Sequence, residues 1–347
     1  MAREGNQATE RLGGGHRSYR GAVYGFVLWV SGLTVLLGCA VLAGGFAAAW
    51  DTFEGVRDYA DRNIANEDSY VAYADGGWFP LVRVGLVVSL LLIVLGLLVV
   101  SALHAAYAVA ESHATREGDG DDGPLTVREL WRRTRRRFPA ALAVNALSGL
   151  PVGAMAVASY MLWMTVERGE VPGVEPTPIG ETATPLYTLV GWVLPIAVMC
   201  LGPLLYFRLS LATAETVLEG RSPFVALYRS WVLTRRARMR TLGLGTLSVA
   251  GAALVVLLAG YAAAPLAHYA GLGMLWLSDD NVWITGVLVQ IFPTTVALLL
   301  LPPLVMPLVC GTSARLYWEL RAGEADARGA ETGAPRAGTA GRQRGWR

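Results

Sequence analysis

The sequence predicts an all-α polytopic membrane protein, with six transmembrane helices arranged as three hairpins and two in-plane amphipathic helices on the cytoplasmic side. Three observations support this fold class. Apolar residues make up 54% of the 347 residues, and charged residues only 16%, against roughly 25% in soluble proteins. Six long apolar runs follow one another along the chain. The arginines are concentrated in the segments that such runs would place on one side of a membrane.

Each of the six runs exceeds the roughly 20 residues needed to cross a hydrocarbon core about 30 Å thick. Four contain no Asp, Glu, Arg or His, and the other two are interrupted by one histidine each. The runs cover residues 21–50, 84–110, 138–166, 182–207, 241–278 and 281–314. We therefore expect a membrane domain over residues 19–321, between a cytoplasmic N-terminal tail over 1–18 and a disordered cytoplasmic tail over 322–347.

The distribution of arginine predicts the orientation. Every basic residue other than histidine is arginine, a bias that we interpret as that of a high-GC bacterial genome. Of the 29 arginines, 25 lie in the two termini and in the second and fourth connections between runs. Cytoplasmic loops retain Lys and Arg during insertion. The sequence thus predicts a multi-pass protein of the cell membrane with both termini in the cytoplasm.

A short motif recurs on the predicted cytoplasmic side. Trp131, Thr134, Arg135 and Arg136 return 100 residues later as Trp231, Thr234, Arg235 and Arg236. The surrounding residues, near 124–137 and 222–236, have apolar side chains at helical spacing and arginines on the remaining faces. Trp on one face and Arg on the other are typical of a helix that lies in the membrane interface. We predict two such in-plane helices.

These helices supply the candidate site. A basic residue near an anionic bilayer contributes about 1 kcal/mol of attraction, so anionic headgroups are the expected partner, with an unidentified protein as a further possibility. The alternative is that the helices only maintain orientation and brace the bundle. The candidate lipid- or partner-binding residues are Trp131, Arg132, Arg133, Arg135, Arg136, Arg229, Trp231, Arg235, Arg236, Arg238 and Arg240.

The second copy of the motif carries a family resemblance. Residues 218–243 read LEGRSPFVALYRSWVLTRRARMRTLG. They resemble the Glu-Gly, Ala-Leu-x-Arg-Ser-Trp-x-Leu-Thr and Arg-x-Leu-Gly segments of actinobacterial glycerophosphoryl diester phosphodiesterase membrane-domain-like proteins. The closing segment Arg315–Arg321 is similar to the final cytoplasmic exit of that family. The matching positions of the first segment are Glu219, Gly220, Ala226, Leu227, Arg229, Ser230, Trp231, Leu233, Thr234, Arg240, Leu242 and Gly243.

This resemblance implies a fold and no activity. Members of that family are six-helix membrane proteins built as hairpins with in-plane connecting helices. The family name comes from fusions to a soluble phosphodiesterase, and no such domain lies within these 347 residues.

The sequence offers no recognisable catalytic or metal-binding set. The four histidines are dispersed, and no His-Glu-x-x-His, Gly-x-Ser-x-Gly or P-loop pattern occurs. Acidic residues between 51 and 78 could hold a divalent cation but also fit a solvated face, and those between 117 and 123 fit a flexible linker. We therefore predict a protein that is not an enzyme and has no cofactor.

Two functions remain open. The first is a non-catalytic scaffold or accessory protein of the cell envelope that interacts with anionic lipid or a partner protein; we expect no nucleic-acid binding. The alternative is a small-molecule or lipid transporter, because prolines interrupt the fourth run at Pro195 and Pro203 and the sixth at Pro293, Pro302, Pro303 and Pro307. Interrupted helices can mark a midplane binding site. Wide hydrophilic access beside these prolines would favour the transporter, and tight packing would favour the scaffold.

Overall fold

A computed structural model describes residues 2–65, 78–117, 125–174, 183–236 and 238–331. This part of the chain contains helices and no strands. Six helical stretches within it are long and apolar enough to cross a membrane, which confirms the six predicted runs. They are Gly21–Arg62, Pro80–His113, Val127–Glu167, Pro185–Glu219, Thr241–Leu277 and Val282–Arg321.

The helices are numbered in chain order. They are α1 (Ala2–Ala65), α2 (Trp78–Glu117), α3 (Val127–Glu167), α4 (Pro185–Tyr187), α5 (Leu194–Leu209), α6 (Leu211–Glu219), α7 (Pro223–Arg236), α8 (Arg238–Leu277), α9 (Val282–Leu304) and α10 (Met306–Glu331). A π-helical turn over Thr188–Val193 joins α4 to α5. The helical backbone of α1 and α10 continues into both segments predicted as tails, and the division of the chain at residues 19 and 321 stays a prediction.

Local signals explain several helix ends. The Thr126 hydroxyl accepts a hydrogen bond from the Glu129 amide and caps the start of α3, as expected for an N-cap threonine. Helix α6 ends at Gly220, whose φ of +68° is left-handed and therefore favours glycine. The Asn281 carboxamide accepts from the amides of Trp283 and Ile284 at the start of α9.

The predicted helix near 124–137 is not a separate element, which corrects the sequence interpretation. Residues 127–137 form the first turns of α3, and that helix runs on through Pro139 to Glu167. Helices that cross membranes tolerate proline. Leu130 and Ala141, on either side of Pro139, are buried in the same cluster, so both parts of α3 pack on the same core. Of the two predicted in-plane helices, the one near 222–236 does form a separate short helix, α7.

The largest buried cluster lies at one end of the bundle. It joins Phe26 of α1, Leu103 of α2, Leu130 of α3, Leu211 of α6 and Tyr317 of α10. Around it lie the start of α3, the α6–α7 region, the C-terminal part of α2 and the middle of α10; together these segments carry most of the described arginines. We call this the arginine-rich end.

A second cluster lies at the opposite end, where Phe53 of α1 packs with Ile284 of α9. The Asn281 carboxamide donates to the Phe53 carbonyl at 3.1 Å. Arg57 donates to the Asp279 carbonyl at 2.6 Å. Helix α1 thereby fixes the turn between α8 and α9.

Candidate functional site

A cavity of about 720 Å³ opens at the arginine-rich end between α2, α3, α6 and α10. Its volume lies within the range of about 300–1,000 Å³ that is typical of ligand sites. We call it the arginine cavity and define it by its lining. The charged lining residues are Arg133, Arg136, Arg137, Arg321 and Glu219. The others are Val109, Ser112, Val217, Leu218 and Trp318.

Helix geometry brings three of the arginines together. Arg133, Arg136 and Arg137 are spaced i, i+3 and i+4 and so share one face of α3. Arg133 donates to Glu129 at 2.7 Å, and the same carboxylate pairs with Arg132 at 2.6 Å. Among the described residues, neither Arg136 nor Arg137 has a carboxylate within ion-pair distance. Two positive charges on the cavity wall therefore lack a counter-charge within the described part of the chain.

Glu219, at the end of α6, connects the cavity to two other helices. Its Oε1 atom accepts from the Tyr317 hydroxyl at 2.8 Å and pairs with Arg321 Nη1, also at 2.8 Å. Its Oε2 atom pairs with Arg221 Nε at 2.7 Å. These contacts fix the guanidinium of Arg321 at the cavity wall.

One turn earlier on α6, Glu215 is buried, with 1% of its side chain exposed. Its Oε1 atom lies 3.0 Å from Arg229 Nε of α7 and 3.4 Å from Arg221 Nη1. A buried carboxylate is tolerated when it is paired and hydrogen-bonded. The pair with Arg229 therefore ties α7 to α6, one turn from the cavity residue Glu219.

The second copy of the repeated motif, on α7, makes contacts with another helix of the protein. The guanidinium of Arg208 lies 3.7 Å from the centre of the Trp231 ring, a cation–π geometry. Arg208 Nε donates to the Thr234 hydroxyl at 3.3 Å, and the Ser230 hydroxyl donates to the Arg208 carbonyl at 2.9 Å. These contacts fasten α7 to α5.

The first copy makes different contacts. The Trp131 ring meets Trp29 edge-on at 5.5 Å and lies 6.1 Å from Phe26, so it packs on α1 and away from the cavity. Thr134 is fully buried. The two copies, alike in sequence, therefore serve different neighbours.

The structure thus separates the eleven predicted site residues. Arg133 and Arg136 line the cavity and Arg229 pairs with Glu215, whereas Arg132, Arg135 and Arg235 are exposed elsewhere. The side chains of Arg236, Arg238 and Arg240 lie outside the described residues. The candidate site residues predicted from the sequence did not include four residues of this region, namely Arg137, Glu215, Glu219 and Arg321. The i, i+3, i+4 spacing could have identified Arg137, whereas Arg321 joins the site only through the packing of α10.

The bundle is packed around Pro195. The Ser159 hydroxyl of α3 donates to the Pro195 carbonyl at 2.8 Å, and Pro195 and Gly202 are buried. A smaller cavity of about 290 Å³ lies beside Glu111 and Arg315. Pro307 is part of the lining of this smaller cavity, whereas Pro195 and Pro302 line neither it nor the arginine cavity. Within the described residues, no group of three or more His, Cys, Asp or Glu side chains could hold a metal ion.

Comparison with known families gives one match. The model of a family described as "Domain of unknown function (DUF7847)" matches residues 123–320, more than half of the chain. The matched region contains Arg133, Arg136, Arg137 and Glu219 and ends one residue before Arg321. No curated protein and no solved structure matches the chain.

Proposed function

We propose the following role for this chain, which belongs to the DUF7847 family: a non-catalytic integral membrane protein, a scaffold or accessory component of the cell envelope, whose arginine-rich end binds anionic lipid headgroups. The observation that carries the proposal is the arginine cavity, whose lining contains four guanidinium groups and one carboxylate. Such a concentration of positive charge favours an anionic partner. The resemblance to the glycerophosphoryl diester phosphodiesterase membrane-domain-like family agrees with a membrane domain without catalysis.

The proposal includes a topology of three hairpins, with α7 in the plane of the membrane and both termini in the cytoplasm. The exposed side chains of α7 support this position. Phe224 is 73% exposed and Tyr228 is 71% exposed, whereas Ala226 and Ser230 are fully buried. A helix with small residues toward the protein and large apolar residues outward suits the membrane interface.

Cysteine labelling tests this topology. In a background with Cys39, Cys200 and Cys310 replaced, we expect cysteines at positions 65 and 175 to react with an impermeant reagent added outside intact cells. Cysteines at positions 120 and 330 should react only after permeabilisation, because the bulk of the arginines marks their side as cytoplasmic. Labelling of any of the four from the wrong side would contradict the proposed orientation.

The lipid interaction is tested by a variant that removes four arginines of the repeated motif: R135Q/R136Q/R235Q/R236Q. We expect it to insert normally, because the six apolar spans provide the anchoring, but to copurify with less anionic phospholipid. Each removed arginine weakens the attraction by up to about 1 kcal/mol, reduced by screening. Quantitative lipid analysis of the purified protein measures the effect.

The control is matched in charge. It replaces four arginines predicted for the opposite side, as R57Q/R62Q/R83Q/R168Q, and should retain the wild-type amount of anionic lipid. Thermal melting of both variants verifies that they fold. Equal lipid content in the two variants would contradict the proposal, and loss of a copurifying protein in place of lipid would identify the arginine-rich end as a protein-docking surface.

A small-molecule or lipid transporter is the second candidate, and one cluster favours it. Polar side chains meet between spanning helices, where the Tyr206 hydroxyl donates to Asn145 at 2.9 Å and the His104 ring lies edge-on to Tyr206 at 6.3 Å. Polar and ionisable groups at membrane depth are frequently functional. Exchange of labelled anionic lipid between the leaflets of proteoliposomes, faster than in protein-free vesicles, would favour this candidate over the scaffold.

A further inference from the structure

The arginine cavity has a defined excess of positive charge. Arg133 shares the carboxylate of Glu129, and Arg321 shares that of Glu219. Arg136 and Arg137 have no carboxylate partner among the described residues. Like charges gathered on one helix face destabilise it unless a counter-charge lies beside them. The wall therefore favours a ligand that brings about two negative charges.

The chemistry of the donors restricts the ligand further. A guanidinium group is a planar fork that binds the oxygens of phosphate in pairs. A phosphate monoester carries close to two negative charges at neutral pH, which matches Arg136 and Arg137 together. A phosphodiester or a carboxylate carries one charge and would leave one of the two guanidiniums uncompensated.

The site is held in place from two sides. Arg136 and Arg137 lie on α3, whose first turn is capped by Thr126. Arg321 is fixed by Glu219. Arg137 Nη1 also lies near Gly220 at the end of α6. The helix thus places the backbone of Arg136 and Arg137, and the ion pair places the guanidinium of Arg321, which reduces part of the cost of ordering the donors on binding.

The size and the apolar wall of the cavity indicate what the phosphate is attached to. A volume of about 720 Å³ exceeds the needs of a free phosphate, and Val109, Val217, Leu218 and Trp318 complete the lining. An amphiphilic ligand fills such a mixed cavity better than an inorganic ion does.

We infer that the arginine cavity is a binding site for a phosphate monoester group, with Arg136 and Arg137 as its principal ligands and Arg321 as a third. This inference rests on the proposed function and sharpens it, because it assigns a discrete site and a headgroup class to the arginine-rich end. A lipid with a terminal phosphate and a soluble phosphate ester present the same chemistry.

The experiment uses the full chain in nanodiscs of phosphatidylcholine that contain either phosphatidic acid, a monoester, or phosphatidylglycerol, a diester. Native mass spectrometry counts the bound lipids. We expect the wild type to prefer phosphatidic acid and the R136Q/R137Q variant to lose that preference, with an affinity for phosphatidic acid lower by about tenfold or more because charge-assisted hydrogen bonds are lost. A parallel arm measures competition by soluble glycerol 3-phosphate.

The matched control is R128Q/R168Q. It removes two exposed arginines, one near each end of α3, neither of which lines the cavity, and it should keep the preference for phosphatidic acid. The single variants R136Q and R137Q, each expected to weaken binding in part, replace the double variant if that one does not fold.

The outcomes separate this inference from the proposed function. Equal binding of the two lipids, or equal losses in the two double variants, overturns the discrete site but leaves general attraction to anionic lipid intact. Absence of binding to either lipid overturns both. Competition by glycerol 3-phosphate at concentrations similar to those of the lipid supports the site and assigns it to a soluble ester; failure to compete assigns it to a lipid headgroup.

Discussion

Replacing Glu215 with glutamine is expected to destabilise the protein by about 3 kcal/mol, the lower end of the cost of breaking a buried ion pair from one side. The carboxylate is almost fully buried and lies 3.0 Å from Arg229 Nε. Its loss leaves Arg229 and Arg221 without this counter-charge. The two arginine side chains are 29% and 36% exposed, so water relieves part of the penalty. Unfolding in sodium dodecyl sulfate, followed by circular dichroism, measures the change.

The control for Glu215 is Glu170, an exposed carboxylate outside the arginine-rich end, whose replacement in E170Q should change stability by less than about 0.5 kcal/mol. The double variant E215Q/R229Q should recover part of the loss, because the second substitution removes the guanidinium that Glu215 had balanced at 3.0 Å. An E215Q protein as stable as E170Q would show that this ion pair does not hold α7 to α6.

The contacts of α7 explain why its arginines and its tryptophan are not equivalent to those of α3. Arg229 is paired with Glu215, and Trp231 is covered by Arg208. Such contacts hold α7 against its neighbours. They agree with the alternative stated from the sequence, in which these helices stabilise the bundle. In α3 the corresponding turns carry Arg133 and Arg136, which line the cavity. The repeated motif therefore supports two roles, bracing in α7 and a basic cavity wall in α3.

The six apolar spans were predictable because the length and apolar character of a membrane helix are local properties of the sequence. The start of α3 was predictable for the same reason, since the hydroxyl of Thr126 and the amide of Glu129 are three residues apart. The point at which the amphipathic part of α3 ends could not be predicted from the sequence. Arginine at helical spacing looks the same in an in-plane helix and in the first turns of a spanning helix, and the packing of Leu130 and Ala141 in one cluster decides between them.

Only those residues of the candidate site that lie close together in the sequence could be predicted. Arg133 and Arg136 belong to the repeated motif and its neighbours, so their positions could be singled out from the sequence. Arg321 reaches the cavity from α10, and its partner Glu219 lies at the end of α6. Such a meeting depends on how distant helices pack, and neither composition nor spacing contains it. Glu215 likewise pairs with Arg229 of the next helix, a contact that depends on how α6 and α7 pack.

Replacing Gly202 with leucine is expected to produce the second large effect, a loss of about 3 kcal/mol through overpacking. Gly202 is a buried residue of α5, and a Cβ atom there would lie 3.1 Å from Val152 Cα and 3.4 Å from Met155 Cβ of α3. The first of these neighbours is backbone, which cannot rotate away as a side chain can. Membrane helices use small residues where their backbones approach closely, so a larger side chain must push α3 and α5 apart.

The control for Gly202 is Gly251 of α8, which is exposed and where a Cβ atom would meet no neighbouring helix or side chain within 4 Å. G251L removes the same flexibility of the backbone without a clash and should melt within a few degrees of the wild type, whereas G202L should melt much earlier and G202A between the two. Thermal melting of the purified proteins in one detergent ranks them. If G202L and G251L melt together, α3 and α5 do not approach each other through Gly202, and the packing that holds the Pro195 level closed would need another explanation.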